Sequence, residues 1–317
     1  MAQAKSQKAK PWETQGVDRQ IPLKFIALGV LAIFVLLIVA VLLISLVSDP
    51  ISGTKPSGIA VIPLSGEIFS GKDTYDGVLS SDEISELIKE AEDDPSISVI
   101  LLDIDSPGGG VVASKQIVYK IREAKKSVYS YINSLGASGA YYAASASDYI
   151  MADEDSLTGS IGVISIFPNF TGLLEKIGVE VTILKEGKFK ASGSEFKDLT
   201  AEEQELFQTL LSETYDQFRG DVLEFRGGKI TPSDLDKVAD GRILSGRQAY
   251  KVHLVDELLP KTKLLERIGE LEKIENPNPI YYGEEGFTLA DFFLSSGKAL
   301  GFGIISSLKD EQKLQLK

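Results

Sequence analysis

Residues 98–104 read S-V-I-L-L-D-I, and the chain passes from them straight into D-S-P-G-G-G, 105–110. The first stretch is an apolar run rich in β-branched residues, the pattern of a parallel strand buried on both faces. In the second, Pro107 fixes one turn position, while the glycines let the backbone take unusual angles and approach a ligand closely. Helical spacing resumes at Val111 and lasts to about Lys126, so a strand feeds a helix through a glycine turn. The N–H groups of such a turn can face an anionic oxygen, although the same residues serve equally as a plain strand-to-helix connection.

Outward from this point the same alternation continues. Ile59–Leu64 reads as a strand and Asp82–Glu92 as an amphipathic helix ending at Asp94-Pro95. Ser127–Asn133 is a second strand, followed after Ser138 by a small-residue helix and then by short strands through Leu184. Ala201–Arg226 is a long amphipathic helix, and Ser245–Val252 and Lys263–Leu271 are helical. This rhythm predicts an α/β architecture with right-handed crossovers. No repeat with a period of 20–50 residues is present.

The 317-residue chain carries a net charge of −13, which argues against nucleic acid as its main partner. It has no cysteine, so disulfides and thiolate zinc sites are excluded. One histidine is too few for most catalytic zinc sites, and no phosphate-binding G-x-x-x-x-G-K-[ST] loop occurs, so no metal and no cofactor is expected. Charge is divided unevenly. Residues 1–24 hold five cations against two acids, a surplus of three, which leaves −16 on the remainder. Residues 25–47 then run 23 positions without a charge. At about 1.5 Å rise per residue such a helix reaches roughly 34 Å, enough to cross a bilayer core. The run is too long for a signal peptide, and Leu46 stands where a cleavage site needs a small residue.

The expected organisation is therefore a cytoplasmic basic tail (1–24), a transmembrane anchor (25–47), a short tether (48–57), a main α/β domain (58–274) and a C-terminal tail (275–317). The basic flank precedes the anchor, which puts the N-terminus in the cytoplasm and the domain outside. The tail holds an apolar cluster, F-T-L-A-D-F-F-L at 287–294, that either packs on the domain or meets a partner or membrane surface.

Two further small-residue stretches interrupt the apolar pattern. L-G-A-S-G-A, 135–140, places Ser138 where a strand turns into a helix, a setting for a nucleophile or simply for close packing. L-T-G-S-I-G-V, 157–163, holds a second glycine-flanked serine, Ser160. Neither is diagnostic alone. Their order and spacing, together with Asp105–Gly110, resemble the signal peptide peptidase A family over roughly residues 58–260. These are membrane-anchored serine peptidases of the Clp-protease/crotonase superfamily. The resemblance implies a repeated β-β-α spiral fold, and its A-S-G-x-Y-Y setting falls on Ala137–Tyr142, with Ala140 where a second glycine is common.

The resemblance also implies a lysine as base a little over fifty residues after the serine. F-K-A-S-G-S-E-F, 189–196, matches at Lys190, with Lys188 as a competitor and Lys185 and Lys197 as more distant ones. By the same resemblance Ser160 holds the lysine amine, and the N–H groups of Gly109 and Gly139 stabilise the oxyanion. The chemistry is demanding, because only ~0.04% of an ordinary lysine is neutral at pH 7. A working base needs a value near 7–8, which takes about 4 kcal/mol of differential solvation. The Lys190 amine must therefore be dry when substrate is bound. Further implications are cleavage of leftover signal peptides or similar apolar peptides at the outer membrane face, and a homo-oligomer in which serine and lysine can come from adjacent protomers.

Other classes stay open at this point. Gly136–Ala140 misses the α/β-hydrolase G-x-S-x-G pattern only at its last glycine, and chain order would allow His253 as the base. His253 reads otherwise as a structural histidine at a helix end. A crotonase-like acyl-CoA enzyme would share the fold but needs a cytosolic thioester, and a non-catalytic membrane scaffold would need none of these groups.

Overall fold

The computed structural model describes residues 33–39, 56–71 and 78–283. The chain divides into two units, residues 1–54 and 55–317. In the first, 33–39 is helical and exposed. The remainder of the expected anchor, the 1–24 tail and the tether as far as residue 55 lie outside the described residues, as does the 287–294 cluster. Among the described residues no helix is long and apolar enough to cross a membrane.

The second unit is built around the quoted strand. Strands β1 (Gly58–Ile68), β2 (Ile97–Gly109) and β3 (Ser127–Ala137) lie parallel, with β2 in the middle. Successive side chains of a strand point to opposite faces. Val99 and Leu101 accordingly join one core layer with Ile59, Val61, Tyr131 and Met151, while Ile100, Leu102 and Ile104 join the other with Ile62, Leu64, Ile88 and Ile117. Both layers are buried, which is why the run shows no polar alternation. Helices α1 (Ser81–Asp93), α2 (Val111–Glu123) and α3 (Gly139–Ser145) contribute to the second layer. Helix α1 begins at a capping box in which Ser80 and Glu83 satisfy each other's backbone amides.

Strand β3 serves two neighbours along its length. Tyr129–Ile132 pairs with β4 (Tyr149–Ala152), and Leu135–Ala137 pairs with β5 (Leu157–Gly159), both parallel. The structure thus has a mixed α/β fold with a parallel-rich sheet of eight strands. Its antiparallel pair is β5 with β6 (Ile243–Ser245), and β7 (Glu257–Leu258) extends β4.

Between β5 and β6 the expectation of short strands through Leu184 is not met. Residues 162–200 contain no strand, only the short helix α4 (Thr171–Lys176). A strand's backbone groups need a partner edge, and this segment has none. Its apolar residues stay on the surface: Ile164, Ile166 and Leu184 are 75%, 78% and 91% exposed. This arm is held to the start of α5 (Ala201–Phe225) by Phe167 against Phe207, with ring centroids 4.3 Å apart. Glu203 adds to the hold. Its carboxylate accepts from Lys197 at 2.5 Å, from the Thr200 amide and from Ser192, and the Lys197 bond leads in holding it down to about 2.

The far end of α5 is tied down differently. Arg226, 1% exposed, donates to both carboxylate oxygens of Asp256 at 2.7 and 2.9 Å and to the backbone oxygen of His253. Tyr215 of the same helix donates to Ala239 O, beyond α6 (Pro232–Asp236). Helices α7 (Gly246–Lys251) and α8 (Leu264–Glu272) fall close to where hydrophobic spacing predicts them. The domain boundary expected at residue 274 needs correction, since β8 (Asn278–Tyr281) adds a parallel strand to the edge of β1. Pro279 sits within this strand, since an edge strand tolerates proline where its N–H has no ladder partner.

Candidate active site

Ser138 sits between the end of β3 and the start of α3, with φ 52° and ψ −122°. Residues with a side chain rarely adopt such angles, and holding one there costs on the order of 1–3 kcal/mol. The surroundings impose it. The Ser138 amide donates to Gly159 O at 2.9 Å, and its own carbonyl accepts from Tyr142 N at 2.9 Å. Every residue of α3 is buried, which explains the run of small side chains after the serine.

The glycine turn after β2 presses against this corner. Gly108 has φ +91°, and a Cβ there would lie 2.5 Å from Gly139 N and 2.7 Å from Ala137 O. Beneath it the buried Ser106 hydroxyl accepts from Gly108 N at 3.1 Å and donates to Gly66 O at 2.5 Å. A Cβ on Gly139 would meet Ser114 Oγ at 2.2 Å and Gly109 N at 3.3 Å, so the Gly109 and Gly139 backbones are neighbours. Gly139 is the first helical residue, and its amide has no acceptor within the helix.

On the far side, Gly109 leaves no room either, because an added Cβ would fall 2.1 Å from Ile68 O. Gly109→Ala is therefore expected to move the turn off β1 and to lower stability by roughly 1–3 kcal/mol, the scale of an overpacked site. Urea unfolding of both proteins followed by circular dichroism would check this.

Ser160 reaches Ser138 through sheet register. Ala137 pairs with Gly159, so the two serines follow side by side at the ends of adjacent strands. Ser160 also has positive φ, 51°, and its amide donates to Arg242 O at 2.8 Å. Both serines line a cavity of about 480 Å³ that extends to Tyr215, Asp236 and Asp240. Ser138 also lines a second cavity, about 120 Å³, whose walls include Gly109, Gly139, Val111, Tyr142 and Phe218. The structure thus brings Ser138, Ser160, Gly109 and Gly139 together.

Lys190 is not among the residues lining either cavity; it lies exposed in the arm. Its competitors are occupied. Lys185 donates to Lys188 O, Lys188 pairs with Glu202 at 2.6 Å, and Lys197 pairs with Glu203. The Lys190 side chain has no such partner among the described residues. His253 lines neither cavity; it has φ 61° just after α7, and its carbonyl receives Arg226.

Several groups at the site were not singled out from sequence. Thr214, Gln217 and Phe218 of α5 line the smaller cavity at helical spacing. Their spacing marks one face of an amphipathic helix but cannot say what the face meets. Tyr142 belongs to the quoted motif, and only the structure gives its hydroxyl a partner, the Asp221 carboxylate, with its ring 4.7 Å from Phe218. Burial first, then the Asp221 bond, push the Tyr142 hydroxyl well above the ordinary tyrosine range.

Peptidase family S49 matches residues 120–275. A candidate protease of Methanocaldococcus jannaschii is 36% identical over 302 residues, covering 88% of this chain and 96% of that protein. The chain belongs to peptidase family S49. The S49 match is joined by a candidate signal peptide peptidase SppA of Enterococcus faecium, 31% identical over 70% of this chain and 65% of that protein. Protease 4 of Haemophilus influenzae is 32% identical over 64% of this chain, which spans only 33% of that longer protein. Among solved structures, a mutant of the 1510-N membrane-bound stomatin-specific protease with a substrate peptide is 16% identical, covers 75% of this chain and 96% of its own, and has a TM-score of 0.48. As an S49 member the chain is a serine peptidase.

Proposed function

We propose that this S49 peptidase is a membrane-anchored endopeptidase that cleaves leftover signal peptides or similar extended apolar peptides at the outer face of the cytoplasmic membrane. The observation that carries the chemistry is the strained Ser138 turn, where one serine borders two cavities and the backbones of Gly109 and Gly139. In this reading Ser138 Oγ attacks a peptide carbonyl, and the amides of Gly109 and Gly139 receive the oxyanion. The residue before the cleaved bond puts its side chain into the smaller cavity, which shares those two glycines. Lys190 takes the serine proton and passes it to the leaving amine, and water then releases the acyl-enzyme.

Lys190 of a neighbouring copy fits this role better than that of the same chain. The larger cavity opens on Ser138 and Ser160 together, so an amine entering it would meet both hydroxyls. The exposed apolar arm that carries Lys190 supplies a surface of the kind that marks protein contacts. Contact with a second copy would remove the amine from water, which the chemistry requires. The anchor at 25–47 and its positive flank support the membrane location.

Labelling of the full-length protein with a serine-reactive fluorophosphonate tests the reading. The wild-type protein and His253→Ala are expected to be modified, and Ser138→Ala is not. Loss of labelling in His253→Ala with retention in Lys190→Ala would favour the hydrolase triad instead.

A further inference from the structure

The smaller cavity beside Ser138 is apolar along most of its wall, through Val111, Tyr142, Val163, Ile164 and Phe218. One part is not. Lys115, one turn along α2 from the glycine turn, also lines it, together with Thr214 and Gln217. Lys115 is half-buried, and its ammonium lies 5.6 Å from the centre of the Tyr119 ring. No carboxylate pairs with it among the described residues. Asp221, on the α5 side, is engaged by the Tyr142 hydroxyl instead.

A cation in this position is not a consequence of general basicity, since the chain carries −13. Covering it with a wholly apolar side chain would strip water from the ammonium and return nothing, a costly exchange. An occupant that carries its own acceptor avoids that cost. Glutamate suits the walls: its two methylenes can lie along the apolar part, and its carboxylate can reach the amine, the Thr214 hydroxyl or the Gln217 amide. A cavity of about 120 Å³ holds one side chain of that size.

We infer that Lys115 sets the charge preference of this subsite, favouring a glutamate immediately before the cleaved bond and rejecting lysine or arginine there. This rests on the reading in which Ser138 attacks a peptide carbonyl with that residue in the smaller cavity. It narrows the substrate class to apolar peptides with an acidic residue at the cleavage point. Lys115 acts on binding and orientation, and it takes no part in moving the proton.

The test uses the full-length protein with fluorogenic peptides identical except for Glu, Gln, Leu or Lys before the cleaved bond. Wild type is expected to prefer Glu over Lys in kcat/KM by roughly tenfold or more, the scale of one charged hydrogen bond. Lys115→Gln is expected to lower the Glu-to-Leu ratio by about tenfold, and Lys115→Glu to invert the Glu-to-Lys preference. Ratios that stay constant in both variants would overturn the inference, including the case in which activity falls evenly on every peptide. If no peptide is cleaved in a Ser138-dependent way, the peptidase reading is overturned and this inference with it; cleavage with constant ratios overturns this inference alone.

Discussion

Ser138→Ala and Lys190→Ala proteins, each inactive alone, are expected to recover about a quarter of wild-type activity when mixed and allowed to reassemble, the statistical yield of a site shared between neighbouring copies. Each single variant is expected to lose ~10³-fold or more in kcat, as nucleophile–base pairs do when either member is removed. The two residues lie in different settings. Ser138 is half-buried at a strained corner that borders both cavities, whereas Lys190 is exposed on an arm with no strand partner of its own. If both residues of one chain formed the site, mixing would restore nothing. Activity of the mixture measured against protein concentration would settle which arrangement operates, and a fully active wild-type monomer would refute the shared site.

The second large effect is structural. Arg226→Ala is expected to cost roughly 3–5 kcal/mol of stability, because it leaves the Asp256 carboxylate buried without its main partner. Asp256 is 8% exposed by side chain, and besides Arg226 it receives Lys229 and the amide of Ile150. Burial alone would raise its carboxyl, but the Arg226 guanidinium outweighs that and holds it below the ordinary range. A carboxylate depressed in the folded state stabilises the fold above its unfolded value, near pH 4, and that stability is lost as pH falls through the folded value. Urea unfolding at pH 7 and at pH 3 would check both points, with a smaller difference between wild type and variant at the lower pH. The double variant Arg226→Met with Asp256→Leu is expected to recover part of the loss, since an apolar pair leaves no charge buried.

The pair also explains His253. A lone histidine invites a catalytic role when chain order permits one, yet here its backbone oxygen is a landing point for Arg226, and the neighbouring Leu254 O receives the Tyr141 hydroxyl from α3. The helix that follows Ser138 is thus braced from behind by the same buried cluster that ends α5.

Some of this was readable from residue order because it depends on local causes. The two-faced burial of β2 follows from an apolar run without alternation, and Gly108 and Gly109 follow from a turn too crowded for any Cβ. Helix starts at Ser80, Thr200 and Ser245 are written in capping boxes of neighbouring residues. The strand-to-helix position of Ser138 follows in the same way. Other features depend on distant partners. The register that sets Ser160 beside Ser138, the edge position of β8 and the α5 face that lines the smaller cavity come from contacts between remote segments. The arm at 162–200 marks the boundary between the two kinds of information. Its β-branched residues have strand propensity, but a strand exists only where another backbone supplies the hydrogen bonds, and no local pattern tells whether that backbone is present. Residue order determined the Ser138 turn and the parallel core, while only tertiary packing decided which groups surround them, because propensity acts between neighbours in sequence and burial acts between neighbours in space.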